Sequence, residues 1–290
     1  MEKKYLILTC FSLFILSLLF ITEVVWYNDG KLHVVFCDVG QGDAIFIKTP
    51  TGSKILIDGG PDESVLKCLS KHMLFFDRKI DVVMLTHPHA DHLTGLISVV
   101  RRYDLMSYDT ENVKISAPEV KILEDYLAEK NLTANLLKKG DILSNQSDFN
   151  IEILRPDGEV TKKRPNFSDL EAKDLDFNGF SLVEMALFGN FKMLLTSDSD
   201  NFLDKNAVEE TGFIDVLQVP HHGSKNGLTQ DFLKRARPKL AVISVGKNNS
   251  YGHPAKETLE LLKKYNVRVL RTDKDGEIEI VSDGKSFWVN

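Results

Sequence analysis

From Leu32 onward, short alternating or wholly apolar runs recur along the chain, separated by polar turns and by stretches with helical spacing. LHVVF (32–36), AIFIK (44–48), KILI (54–57) and DVVML (81–85) read as strands. NIEIL (150–154), SLVEMALF (181–188), FKMLLT (191–196), DVLQV (215–219), LAVIS (240–244) and VRVL (267–270) follow, and EIEIV (277–281) with SFWV (286–289) ends the series. Helices are expected near 63–74, 94–101, 118–130, 202–210, 229–236 and 255–265. Pro118 and Pro254 sit near the starts of two of them, where proline is tolerated. Residues 104–115 and 157–178 read as polar loops, the second carrying Lys162, Lys163 and Arg164. No linker or repeat divides residues 31–290. Strand pairs alternating with helices predict sheet layers with helices outside, in one α+β domain.

A run of different character opens the chain. Lys3 and Lys4 precede YLILTCFSLFILSLLFIT, from Tyr5 to Thr22. Eighteen residues make about 27 Å of helix, close to the hydrocarbon thickness of a bilayer. Trp26 and Tyr27 follow at the level where interfacial aromatics sit. Residues 1–30 are therefore expected to be a single transmembrane anchor. A cleavable signal peptide, leaving a secreted domain, is the rival reading, although its apolar core would be shorter and would end at a small-x-small site. With the lysines on the short side, residues 31–290 are expected outside the cytoplasm.

Composition narrows the function classes. The chain is 43% hydrophobic and 27% charged, with 18 Gly and 9 Pro, which excludes disorder, collagen-like repeats and a polytopic membrane protein for its bulk. Its net charge of −6 excludes a high-affinity nucleic-acid coat, while contact with one or two phosphates through metal ions stays open. Cys10, Cys37 and Cys68 form no metal-ligand spacing and no disulfide framework. Cys37 and Cys68, in apolar surroundings, read as small hydrophobes rather than a pair.

The chemistry is concentrated after DVVML, in Thr86-His87-Pro88-His89-Ala90-Asp91-His92. Side chains one residue apart in an extended loop point the same way, so His87 and His89 can grip one ion. Asp91 and His92 can serve a second as the chain turns into a helix. Neutral imidazole with carboxylate suits Zn, Mn or Fe. Asp38 and Asp43 are either site residues or shapers of a Gly-rich turn, and Asp58 before two glycines has the same two readings. Asp200 reads as a helix N-cap. His33 and His72 lie outside any motif and read as ordinary surface or core residues.

HPHADH resembles the HxHxDH signature of the metallo-β-lactamase superfamily. Asp38-Val39-Gly40-Gln41-Gly42-Asp43 resembles the "DVGQGD" of the extracytoplasmic domain of ComEC-type competence proteins, and Ile55 to Gly60 resembles the superfamily's first motif. Leu194-Leu195-Thr196-Ser197-Asp198, Val219-Pro220-His221-His222-Gly223-Ser224 and Tyr251-Gly252-His253-Pro254 are similar to "LLTGD", "VPHHGS" and "YGHP" of that group, in family order.

The resemblance implies an αββα sandwich of two mixed sheets packed face to face, preceded here by one transmembrane helix. It implies two divalent ions, Zn or Mn. His87 and His89 would hold the first, Asp91 and His92 the second, Asp198 would bridge both, and His221 or His222 would complete the second site. Asp58 would orient ligands from beneath. Asp91 and His253 would take part in the chemistry, His253 by donating to a substrate oxyanion, and Ser224 and Lys225 would meet substrate. Three departures stand out. No histidine lies between His92 and His221, Ser197 replaces a glycine, and the "NxNS" stretch reads Asn178-Gly179-Phe180-Ser181.

The function so implied is a membrane-anchored hydrolase that uses a metal-bound hydroxide, with single-stranded DNA or another phosphodiester as substrate and a competence-related role. The same chemistry would serve an ester, lactone or β-lactam. A non-catalytic DNA-uptake binding module is the alternative from another class. Only one apolar run could span a membrane, so a DNA channel would have to be a separate protein.

Overall fold

The computed structural model describes residues 2–111, 117–144, 149–156, 178–199, 203 and 207–290. The expected N-cap Asp200, the start of the 202–210 helix and the 157–178 loop with Lys162, Lys163 and Arg164 lie outside these residues, Asn178 excepted.

Helix α1 (Glu2–Tyr27) leads into β1 (Leu32–Phe36), β2 (Ile45–Lys48) and β3 (Lys54–Ile57), then α2 (Ser64–His72), β4 (Lys79–Leu85) and α3 (Ala90–Arg102). β5 (Asp104–Glu111), α4 (Pro118–Glu129), β6 (Ala134–Leu137), β7 (Ile142–Ser144), β8 (Phe149–Arg155), β9 (Val183–Phe188) and β10 (Phe191–Leu195) follow. The chain continues through α5 (Ala207–Thr211), β11 (Val216–Gln218), α6 (Gln230–Ala236), β12 (Leu240–Ile243), α7 (Lys256–Lys264), β13 (Arg268–Arg271), α8 (Thr272–Asp275), β14 (Ile278–Ser282) and β15 (Phe287–Val289).

Two mixed sheets result. One runs β15-β14-β1-β2-β3-β4-β5-β6 and the other β13-β12-β11-β10-β9-β8-β7. The period-two alternation decides what each strand does. Val34 and Phe36, Ile45 and Ile47, and Ile55 and Ile57 face the second sheet, where they meet Ile151, Ile153, Met193, Leu195 and Val242. The intervening Val35, Phe46 and Leu56 face outward and are covered by Leu69 of α2, Leu93, Leu96 and Val99 of α3, and Leu123 of α4. On the far side, Leu194, Leu217 and Ala241 are covered by Phe232 and Leu233 of α6 and by Leu262 of α7. Each such side chain contributes about 1.5–3 kcal/mol by leaving water, so three apolar layers hold four layers of secondary structure in the expected αββα arrangement.

Two expectations need correction. Residues 104–111 are not a loop but the strand β5, parallel to β4 on one side and β6 on the other. Its polar positions hid the pattern. Asp109 is buried and accepts from Asn135 Nδ2 at 2.8 Å, so lateral hydrogen bonding lets a polar residue occupy an interior strand. Cys37 and Cys68 are not separate small hydrophobes: they form a disulfide that ties the end of β1 to α2. The pairing is made by α2 lying down on the sheet across 31 residues of sequence, which no local spacing reveals.

Helix α1 is long and apolar enough to cross a membrane, with none of the Lys4–Thr22 stretch buried against the rest of the chain.

Candidate metal centre

Parallel pairing brings the C-terminal ends of several strands to one edge of the sandwich, and the motif residues follow those ends directly. Asp58 follows β3, Thr86 and His87 follow β4, Thr196 to Asp198 follow β10, and His221 and His222 lie just after β11. Asp43 arrives from the antiparallel β2, and Asp91 and His92 occupy the first turn of α3. Close approach of these loops requires glycine at defined places. A Cβ on Gly95 would lie 1.9 Å from the Gly59 carbonyl oxygen, and one on Gly42 would lie 2.1 Å from that of Asp91. Asp58, Ser197, His221 and His222 all hold positive φ. Such backbone costs of order 1–3 kcal/mol per residue and concentrates at functional sites.

Asp91, His92, Asp198 and His222 present ligand-type atoms that all lie within 4.8 Å of one another, and His87, His89 and Asp198 form a second such group. Asp198 belongs to both. Its Oδ2 is 3.4 Å from His92 Nε2 and 3.9 Å from His87 Nε2, and its Oδ1 is 3.5 Å from His222 Nε2. His87 Nε2 and His89 Nδ1 are 3.0 Å apart. The second ring nitrogens are held from behind. His92 Nδ1 meets Asp58 Oδ2 at 2.8 Å and His222 Nδ1 meets the Ser244 carbonyl at 2.9 Å, which turns both Nε2 atoms toward the centre.

His92 Nε2, His222 Nε2 and Asp198 Oδ1 are buried with no hydrogen-bond partner. Leaving such groups unsatisfied costs about 1–3 kcal/mol each, and a divalent cation between them removes that cost. The residues present therefore fit a metal, and they are the donor types that bind one.

Electrostatics follow the same geometry. Burial opposes ionisation of Asp198, but His222 and His92 beside it hold its carboxyl well below the usual range. In return, against its own burial, His222 is pushed up to about 9 by Asp198 and Asp91. His92 is likewise raised well above normal by Asp198 and Asp58 despite its burial. His87, with burial and the neighbouring His92 acting together, is pushed well below. Burial raises Asp58 and Asp43.

The centre opens into a cleft of about 570 Å³ lined by Gln41, His89, Asp91, Asn178, Asp198, His221, His222, Tyr251 and His253. The two adjacent histidines take different positions. His222 is buried among the second group, whereas His221 stands on the cleft wall with its Nε2 3.8 Å from Asp198 Oδ2. Asn178 Nδ2 is 3.4 Å from His221 Nδ1, so the asparagine is at the site despite Phe180. The His253 ring lies 5.7 Å from that of His221. Ser224 is buried behind the histidine turn, and Lys225 pairs with Glu257 at 3.0 Å; neither lines the cleft.

Two supporting residues were missed in the sequence. Gln218 accepts from the Thr196 and Ser197 amides at 3.0 and 3.2 Å and donates to Asp43 at 2.9 Å, locking three loops together. Glu184 is fully buried on β9, with neither carboxyl oxygen bonded to another residue and with the charges of Asp58 and Asp43 nearby. Each is a polar residue inside an otherwise apolar strand, the one signal that could have marked it.

Two mixed sheets with helices on both outer faces, and a His/Asp cluster where the strands end, define the metallo-β-lactamase fold, and this chain has it. A family model described as the metallo-beta-lactamase superfamily matches residues 37–109. More particularly, the chain is similar to ComE operon protein 3 of Bacillus subtilis (strain 168), 29% identical over 275 residues, which are 87% of this chain and 33% of that protein. Recombination protein 2 of Haemophilus influenzae is 26% identical over 284 residues, 95% of this chain and 31% of that one. The chain thus spans about a third of the length of the curated relatives it matches. Among solved structures, the metallo-beta-lactamase fold protein YhfI from Bacillus subtilis aligns with a TM-score of 0.55 at 12% identity, covering 90% of this chain and 100% of that one.

Proposed function

We propose that this chain is a membrane-anchored, metal-dependent phosphodiesterase that acts on single-stranded DNA in a competence-related role. The observation that carries the reading is the convergence of Asp91, His92, Asp198 and His222, with three buried unsatisfied atoms, at the floor of an open cleft. The motif resemblance to ComEC-type competence proteins supports a nucleic-acid phosphodiester as the substrate class.

His87, His89 and Asp198 would hold one divalent ion, and Asp91, His92, Asp198 and His222 the other, either Zn or Mn. When bound, the ions would supply an activated water and stabilise charge developing on the attacked phosphoryl group. The protein's own groups do the rest. Asp58 and the Ser244 carbonyl fix the ring orientations of His92 and His222. Asp91, partly exposed to the cleft, would accept a proton from the attacking side. His221 and His253, on the wall, would donate to a phosphoryl oxygen. The net charge of −6 suits transient rather than tight binding of a polyanion.

The Cys37–Cys68 disulfide supports an oxidising compartment. With Lys3 and Lys4 at the N-terminal end of α1, it favours the extracytoplasmic face of the membrane. A separate DNA channel protein is proposed as a partner.

Hydrolysis of labelled single-stranded DNA and bis-p-nitrophenyl phosphate by the full chain, with Mn²⁺ or Zn²⁺, tests this. Metal-dependent cleavage abolished by His87→Ala plus Asp91→Ala is expected. Metal binding without cleavage of either substrate would turn the reading toward esters or lactones. Absence of both metal and cleavage would favour a binding module.

A further inference from the structure

The turn between α2 and β4 carries Leu74-Phe75-Phe76-Asp77, and its middle is built the wrong way round for a water-facing turn. The ends are secured. Leu74 is buried, the Asp77 amide donates to its carbonyl at 2.8 Å, and the Asp77 carboxylate pairs with Lys54 at 2.8 Å and accepts from the Lys79 amide at 3.0 Å. The two central phenylalanines are thereby held outward, 72% and 48% exposed, with their rings edge to face at 5.2 Å. Adjacent exposed aromatics on a hydrogen-bonded turn form an apolar patch of the kind contact surfaces use.

Their neighbour identifies the partner. The Phe76 ring is 5.2 Å from that of Phe20 on α1. Phe20 lies two residues inside the apolar run that ends at Thr22, about 3 Å below its end at the helical rise of 1.5 Å per residue. Whatever touches Phe20 therefore shares the depth of the outermost hydrocarbon. The exit of α1 is fastened to the domain as well. The Lys48 ammonium lies 4.5 Å from the Tyr27 ring centre and 3.6 Å from Asp29, and His33 meets Asp29 at 3.0 Å and Glu279 at 2.8 Å.

We infer that the Phe75–Phe76 turn is a second membrane contact, seated in the lipid interface beside α1, so that the domain stands on the bilayer with its cleft turned away. This rests on α1 spanning the membrane and not on the nature of the reaction. The turn precedes Lys79 at the start of β4, whereas His87 follows the end of that strand. Seven residues at about 3.3 Å each put roughly 20 Å of strand between the turn and His87. The cleft then meets substrate arriving from the aqueous phase rather than from the lipid surface.

The test uses the full chain in phosphatidylcholine–phosphatidylglycerol vesicles. Cys10→Ser provides the background, because Cys37 and Cys68 are bonded to each other. An environment-sensitive nitrobenzoxadiazole label is placed at Phe75→Cys and, as a water-facing control, at Lys256→Cys. The label at 75 should emit in the blue and be quenched by lipid carrying a nitroxide near its headgroup, while the label at 256 should do neither. Water-like, unquenched emission at 75 would overturn the inference. Blue emission that lipid nitroxide fails to quench would overturn it in favour of a protein partner. Labelling native Cys10 in the otherwise unaltered chain separates the premise: lack of lipid quenching there would remove the anchor itself.

Discussion

Asp58 Oδ2 and His92 Nδ1 lie 2.8 Å apart, both buried, at the base of the site. The same carboxylate accepts from the Thr86 amide at 2.8 Å and from the Thr86 hydroxyl at 2.7 Å, so one side chain joins the ends of β3 and β4 to the first turn of α3. It accepts from His92 Nδ1 and so turns Nε2 toward Asp198. Asp58→Asn keeps the shape and weakens that control. Metal affinity, measured by competition with a chromogenic chelator, is expected to fall about 10- to 100-fold while the fold is kept. Unchanged affinity would mean that Asp58 only shapes its turn.

Gln218 ties Asp43 to the loop that carries Asp198. Gln218→Leu leaves two buried amides and a buried carboxylate without partners. Each unsatisfied group costs about 1–3 kcal/mol, so denaturant unfolding of the metal-free protein should show a loss of at least about 3 kcal/mol. A smaller loss would show that the clamp is slack.

Burial, together with the charges of Asp58 and Asp43, holds the Glu184 carboxyl well above the ordinary range. The folded protein therefore keeps a proton that the unfolded chain releases near pH 4.3. Stability from this group is full below that pH and declines as pH rises toward the folded value. Glu184→Gln removes the decline. The variant should melt higher than the parent at pH 8, by at least the roughly 2–4 °C that 1 kcal/mol produces in a domain of this size, and the gap should close toward pH 4. A constant gap across this range would place the effect in packing instead.

The disulfide between Cys37 and Cys68 closes 31 residues of chain. Loop-closure entropy of that length is worth about 3–4 kcal/mol, and reduction by dithiothreitol should lower stability by that order. A melting curve insensitive to reductant would argue that the pair is not bonded in solution.

Much of this was legible in the sequence because its signals are local. The period-two runs predict twelve of the strands within a residue or two, and the His/Asp spacing points to the residues of the candidate centre. What stayed hidden depends on the third dimension. β5 carries Ser107 and Asp109 inside a sheet because Asn135 reaches across from β6. Cys37 and Cys68 meet only once α2 packs on the sheet. His221 and His222 are neighbours in sequence, yet the positive φ of both sends one into the centre and the other to the wall. Phe75 and Phe76 gain meaning only from the position of Phe20.

The most direct test of the central claim is the metal stoichiometry of the full chain, wild type against Asp198→Asn, by equilibrium dialysis with Zn²⁺ and Mn²⁺ and elemental analysis. Because Asp198 belongs to both ligand groups, two ions per chain are expected in the wild type and a marked loss at both positions in the variant. Wild-type protein that binds no metal, or a variant that retains both ions, would contradict the account.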